Sequence, residues 1–125
     1  GVPEMLDGLV SRNIPLAVLS NKPEEFTATM VEQLLGRWSF REVCGMRPGV
    51  PAKPDPTAAL AIATCLKVEP AVCLYVGDTA TDMKTAVAAG MLAVGGTWGF
   101  RDRDELLASG AGTVVDEPAE LLDLV

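Results

Sequence analysis

The sequence predicts an α/β fold: a mostly parallel sheet whose faces are both covered by helices. Three observations carry this reading. Stretches of helical periodicity alternate along the chain with short apolar runs. Those runs are continuously apolar rather than alternating with polar residues, as in strands buried on both faces. Strands alternating with helices of about ten residues also imply right-handed crossovers to parallel neighbours.

Residues Pro3 to Arg12 place Met5, Leu6, Leu9 and Val10 at helical spacing, and Pro3 is acceptable in a first helical turn. Pro15 to Ser20 reads as a buried strand with a polar end. Glu24 to Leu35 predicts a helix with Phe26, Met30, Val31 and Leu34 on one face and Gly36 as its stop. Phe40 to Met46 suggests a short strand, and the four prolines between Arg47 and Pro56 require a loop. An Ala-rich helix, Thr57 to Leu66, precedes the strand Val72 to Val76. Asp82 to Ala89 forms the next helix, stopped by Gly90, and Met91 to Gly95 the next strand. Leu106 marks a short helical turn, Thr113 to Val115 a small strand, and Pro118 to Leu124 a closing helix. There is no internal repeat and no low-complexity tract.

Composition narrows the functional classes. At 125 residues the chain is about one domain, 49% hydrophobic and 22% charged, ordinary for a globular protein. No apolar run approaches the roughly 18 residues of a membrane span, and no basic-then-apolar leader opens the chain. A net charge of −7 without a Lys/Arg cluster argues against nucleic acid or anionic membrane as a partner. The absence of His excludes Ser-His-Asp and Cys-His mechanisms and His-ligated metals within this chain. Acid–base work falls to carboxylates, Lys or water. Cys44, Cys65 and Cys73 are odd in number and lack metal-type spacing; Cys73 reads as a small core residue inside a strand. A reducing cytoplasm fits this usage.

Three polar groups fall where strands end. Ser20-Asn21-Lys22 follows an apolar strand, and a hydroxyl with backbone N–H groups there suits a phosphate oxygen. The plain alternative is that Ser20 or Asn21 merely caps or turns into the next helix. Lys53, in Ala-Lys-Pro-Asp-Pro, stands in a loop stiffened by prolines, where a fixed ammonium can neutralise phosphate charge. A solvated loop lysine is the commoner case, and Asp55 reads as a helix N-cap. Finally, Gly77-Asp78-Thr79-Ala80-Thr81-Asp82 puts two carboxylates four residues apart at the carboxyl end of a strand, where α/β sheets bind ligands. Such a pair suits a hard cation such as Mg²⁺. Asp78 would ligate the metal, and Asp82, one helical turn on, would bind a metal water or hold Lys53. Helix capping by Asp78, Thr79 or Thr81 remains the alternative.

In order and spacing, Leu-Ser-Asn-Lys, Ala-Lys-Pro-Asp-Pro and Val-Gly-Asp-Thr-Ala-Thr-Asp together resemble the second, third and fourth motifs of the haloacid dehalogenase superfamily of phosphatases. Gly95-Gly96-Thr97-Trp98-Gly99-Phe100 is similar to its phosphoglycolate phosphatase branch. The resemblance implies a three-layer, Rossmann-like core and a Mg²⁺-dependent phosphomonoester hydrolase acting on a small phosphorylated substrate. It implies that Ser20, Asn21 and Lys53 bind phosphate, that Lys53 and Asp82 serve catalysis, and that Asp78 and Asp82 form the metal site.

The same resemblance exposes an absence. The family's chemistry begins with Asp-x-Asp on a first strand, whose first Asp attacks phosphorus to form an aspartyl-phosphate. No Asp-x-Asp stands at the end of an apolar strand here; Asp102-Arg103-Asp104 lies in a polar segment and reads as surface. Residues 1–125 thus resemble a partial core domain without the central first strand and without the cap. That strand would lie between the one ending at Ser20 and the one ending at Asp78. The expected consequence is two unpaired edges, filled by an upstream segment or by a second chain, and inactivity of this chain by itself. Three other readings stand beside the hydrolase. One is a non-catalytic phosphate- or Mg²⁺-binding module, another the pyrophosphatase or sugar-phosphate mutase branch, and the third a receiver-like signalling domain.

Overall fold

The computed structural model describes residues 1–99 and 102–125. Helix α1 (Val2–Ser11) leads to strand β1 (Ala17–Pro23), helix α2 (Glu24–Leu35) and strand β2 (Glu42–Met46). After the proline loop come α3 (Thr57–Leu66), a 3₁₀ turn (Pro70–Val72), β3 (Leu74–Gly77), α4 (Ala80–Ala89) and β4 (Leu92–Gly96). Helix α5 (Arg103–Ala108), β5 (Thr113–Val115) and a 3₁₀ segment (Pro118–Leu124) complete the chain.

Every strand pairing is parallel, as the continuous apolar runs require. Strand β1 pairs with β2, Ala17 opposite Glu42 and Leu19 opposite Cys44. Strand β4 lies between β3 and β5, with Gly77 opposite Gly95 and Val94 opposite Thr113. The sheet, however, is in two parts: β1–β2, and β3–β4–β5. Among the described residues, strand β1 has no partner on the edge away from β2, and β3 none on the edge away from β4. Between these edges runs a cavity of about 800 Å³, walled by Leu19 of β1 and Leu16 just before it, Leu74 and Val76 of β3, and Ile62 and Leu66 of α3. Val76, on a strand expected to be buried, is 41% exposed for this reason.

Packing on the two sides of the slot joins the halves. Met5, Leu6, Leu9 and Leu16 from the first half meet Val94, Val115 and Leu121 from the second in one buried cluster. The Arg12 guanidinium donates to the Leu122 carbonyl oxygen at 2.6 Å. A second cluster, Met83, Ala86, Ala93 and Leu106, seats α4 and α5 on the three-stranded sheet.

Four local features depart from the sequence-based expectation. Strand β1 runs on through Pro23, with a register shift between Leu19 and Pro23, so Ser20-Asn21-Lys22 is an irregular strand end rather than a loop. The apolar stripe of α2 faces outward: Phe26 is 66% and Leu34 70% exposed. The helix instead turns Thr27 inward, its hydroxyl donating to the carbonyls of Lys22 and Pro23. A Cβ on Gly45 would collide with Glu24 and Thr27 there, so backbones approach too closely for larger residues between them. Cys73 is not inside a strand; the turn begun at Pro70 delays β3 to Leu74 and leaves Cys73 half-buried. The last segment is 3₁₀ rather than α-helical. Cys44, Cys65 and Cys73 are all free thiols, and burial pushes the Cys44 thiol up from its ordinary range.

Open edges leave amides without protein acceptors. Hydrogen exchange followed by NMR should therefore show alternate amides of β1 and β3, those facing the slot, exchanging much faster than those of β4. Uniform protection along β3 would contradict the divided sheet.

Candidate functional site

Strands run parallel within each sheet, and the contacts from Asn21 to Lys53 and from Lys53 to Asp82 bring the carboxyl ends of β1 and β3 to one end of the slot. Ser20, Lys53, Asp78 and Asp82 all line the cavity there. They come from three segments that are distant in sequence: Ser20, Lys53, and Asp78 with Asp82.

Lys53 is placed by its backbone. The Asn21 side chain accepts from the Lys53 N–H at 3.0 Å and donates to the Lys53 carbonyl at 3.2 Å. This two-point clamp ties the proline loop to the end of β1, and the Lys53–Pro54 peptide is cis. Both polar ends of Asn21 are engaged in this way. The Lys53 ammonium then reaches Asp82 Oδ1 at 2.7 Å, and the two side chains are only 12% and 11% exposed.

Asp82 is held from several sides. Its second carboxylate oxygen accepts from the Asp78 N–H at 3.2 Å. Its own N–H donates to Thr79 Oγ1 at 3.1 Å, so Thr79 is the cap of α4. Gly77 has no room for a side chain, since a Cβ would collide with Asp82. Of the two roles open to Asp82, the geometry displays the grip on Lys53.

The cap at Thr79 leaves Asp78 free of that duty. Its carboxylate has no hydrogen bond or ion pair among the described residues, is half-buried, and lies against Gly99, where a Cβ would strike it. Ser20 is also not a helix cap. The residue preceding α2 is Pro23, with no side-chain cap, and Ser20 Oγ accepts from Lys22 N–H at 3.1 Å while its hydrogen stays available. Asp55 does accept from the Thr57 N–H at 2.8 Å at the start of α3, and that bonding holds its carboxyl below the ordinary range. Asp102 caps α5 through the Glu105 N–H, 2.9 Å, and belongs to the exposed surface.

Two further residues stand beside the site: Trp98, from the segment already noted for its resemblance, and Tyr75, which motif spacing did not show. The ring of Trp98 packs over Gly96 and borders the same cavity. The Tyr75 phenol is pushed above its ordinary range, first by burial and then by the charge of Asp82. Strand alternation carried the signal, since Tyr75 and Gly77 share the face of β3 on which Asp82 lies. Phe100 lies outside the described residues.

Chemically, this is a hydroxyl, a fixed ammonium and a free carboxylate at one mouth of a slot. Hydroxyl and ammonium suit the oxygens of an oxyanion. For a hard cation the set is half of a site. Asp78 offers free oxygen ligands, whereas Asp82 is taken up by Lys53, and no group of three or more Asp, Glu or Cys residues converges among the described residues. Such an ion takes at least six oxygens, so water, an anion or an added carboxylate would complete it. No helix among the described residues is long and apolar enough to cross a membrane.

Comparison with known proteins agrees in family and fold. The profile of the family described as haloacid dehalogenase-like hydrolase matches residues 1–90. A phosphoglycolate phosphatase of Pseudomonas putida is 33% identical over 122 residues, covering 98% of this chain and 45% of the relative. One from Xylella fastidiosa is 37% identical over 123 residues, covering 94% and 52%. Among solved structures, a Lactobacillus delbrueckii protein provisionally assigned as a phosphoglycolate phosphatase superposes with a TM-score of 0.90 at 32% identity, over 97% of this chain and 50% of that one. A subfamily IA hydrolase of the same superfamily from Geobacter sulfurreducens superposes at 0.81 with 25% identity, over 100% and 59%. The chain spans about half the length of the curated relatives it matches.

Removing one member of a buried ion pair leaves the other charge uncompensated, at about 3–5 kcal/mol. Lys53→Met should lower the unfolding free energy by about that amount in urea denaturation. A loss no larger than that of an exposed pair would show that the Lys53–Asp82 contact is not a structural tie.

Proposed function

The chain belongs to the haloacid dehalogenase-like hydrolase family, and we propose that it forms the phosphate-holding part of a Mg²⁺-dependent phosphomonoester hydrolase of the phosphoglycolate phosphatase type. The observation that supports this most is the buried Lys53–Asp82 pair at the slot mouth, beside a hydroxyl and an unpaired carboxylate. Ser20 donates its free hydroxyl hydrogen to one phosphate oxygen, and the Lys53 ammonium donates to another. Asn21 acts through Lys53, fixing the loop that carries the ammonium. Asp82 keeps the ammonium aimed, and Asp78 is the residue of this chain that would hold the metal. A bound Mg²⁺ supplies charge neutralisation and orientation of the phosphate.

The slot between β1 and β3 takes a parallel strand, and by the family resemblance that strand carries the attacking carboxylate. An upstream segment or a second chain would supply it, so the 125 residues alone are inactive. The substrate is a small phosphate ester; phosphoglycolate is favoured by the named relatives and by the Gly-Gly-Thr-Trp-Gly segment that packs on Asp78. Pyrophosphate and sugar phosphates are the alternatives within the superfamily. The acidic net charge and the free thiols support a cytoplasmic protein that binds neither nucleic acid nor membrane. One observation favours a second reading, a non-catalytic phosphate-binding module: no strand of this chain ends in Asp-x-Asp.

A phosphatase assay with phosphoglycolate separates the two. This chain alone should be inactive, and a version extended upstream by a strand ending in Asp-x-Asp should turn over with Mg²⁺. In the extended protein Asp78→Asn should lower turnover by about 100-fold or more. Inactivity of both forms would favour the binding module, and near-normal turnover of Asp78→Asn would overturn its role at the metal.

A further inference from the structure

One polar atom at the site has no place in that scheme. The Tyr75 hydroxyl is the single buried side-chain nitrogen or oxygen among the described residues that lacks a hydrogen-bond partner. Native proteins satisfy nearly all such groups, so an orphan beside a functional site calls for a state in which it is used. Tyr75 shares a face of β3 with Gly77, and Asp82 sits directly on Gly77. Thr85 and Asp82 are the two polar side chains that act on the phenol. The Thr85 hydroxyl donates to the Thr81 carbonyl at 2.7 Å and offers only a neutral oxygen, so the Asp82 carboxylate is the stronger acceptor there. In the free protein Asp82 is supplied by Lys53 and by the Asp78 N–H.

That supply changes when an anion enters. A phosphate at the slot mouth draws the Lys53 ammonium, and the bond to Asp82 Oδ1 weakens. A carboxylate that is 11% exposed cannot turn to water for compensation. We propose that Tyr75 is a positioning residue whose hydroxyl donates to Asp82 as Lys53 turns toward phosphate. The carboxylate then stays satisfied, and the ammonium is released to the ligand at lower cost. The inference rests on the reading of Lys53 as a phosphate ligand. A tyrosine hydroxyl is a donor over the whole neutral range.

Tyr75→Phe removes the hydroxyl and little else, and two measurements on the 125-residue chain test the role. Thermal unfolding without ligand should be unchanged or slightly raised, because no bond of the free state is lost. Affinity for inorganic phosphate, followed by NMR titration, should fall about fivefold. In a Lys53→Met background the same substitution should leave phosphate affinity unaltered, since no ammonium remains to be released. If Lys53→Met does not fold, weaker phosphate binding with undiminished stability in Tyr75→Phe alone still supports the role. Lower stability with unchanged phosphate affinity is the mark of a merely structural tyrosine and overturns it. Wild type and Lys53→Met binding phosphate equally would sink the reading of Lys53 and this inference together. Phosphate binding that depends on Lys53 but is indifferent to Tyr75→Phe would remove the Tyr75 role alone.

Discussion

An ammonium and a carboxylate, each nearly withdrawn from water, meet at the carboxyl ends of two separate sheets, and the geometry of the site follows from that contact. Lys53 is tied by its backbone to the end of β1 through Asn21, while its charge is committed to Asp82 in the first turn of α4. One residue thus connects the β1–β2 half to the β3–β4–β5 half at the end where ligands bind in α/β sheets. Withdrawing two ions from water is unfavourable, and a well-packed apolar pair would serve stability at least as well. What an apolar pair would not provide is a cation held at one position beside a hydroxyl and a free carboxylate. The pair therefore fits a requirement of chemistry better than one of folding.

The divided sheet gives that arrangement its setting. Parallel strands normally lie between neighbours, and their polar edges are satisfied on both sides. Here β1 and β3 present facing open edges across an apolar slot, while packing of α1 against the last segment and of α3 against α4 holds the walls in place. The walls and the polar mouth are aligned with each other, because Ser20 and Asp78 continue the strands at the walls and the Lys53 loop is tied to Asn21 at the end of β1. A strand entering the slot would deliver whatever follows its last residue to the space between Ser20, Lys53 and Asp78.

Much of this was legible in the residues. Continuous apolar runs separated by helical periodicities fixed an α/β fold with parallel strands, and the order Ser20, Lys53, Asp78, Asp82 identified the residues the fold brings together. Where the reading fell short, tertiary packing had the deciding role. The apolar stripe Phe26, Met30 and Leu34 satisfies helical periodicity, yet the close approach of α2 to Gly45 selects the smaller Thr27 as the inward residue. Spacing could not assign the capping of α4 among Asp78, Thr79 and Thr81; the chain's path puts Thr79 there and leaves Asp78 unencumbered. Nor could it show Asn21 as a clamp, because that role depends on a loop more than thirty residues away. Tyr75 was hidden for a related reason, since a tyrosine in an apolar strand reads as core until its hydroxyl is seen without a partner.

The central claim is that Lys53 and Ser20, set by these constraints, form an oxyanion site at the mouth of the slot. Crystals of this chain soaked in tungstate, a tetrahedral and strongly scattering analogue of phosphate, test it directly. The anion should appear within hydrogen-bonding distance of both Ser20 Oγ and Lys53 Nζ. Tungstate bound elsewhere, with the Lys53–Asp82 pair undisturbed and the mouth empty, would contradict the account.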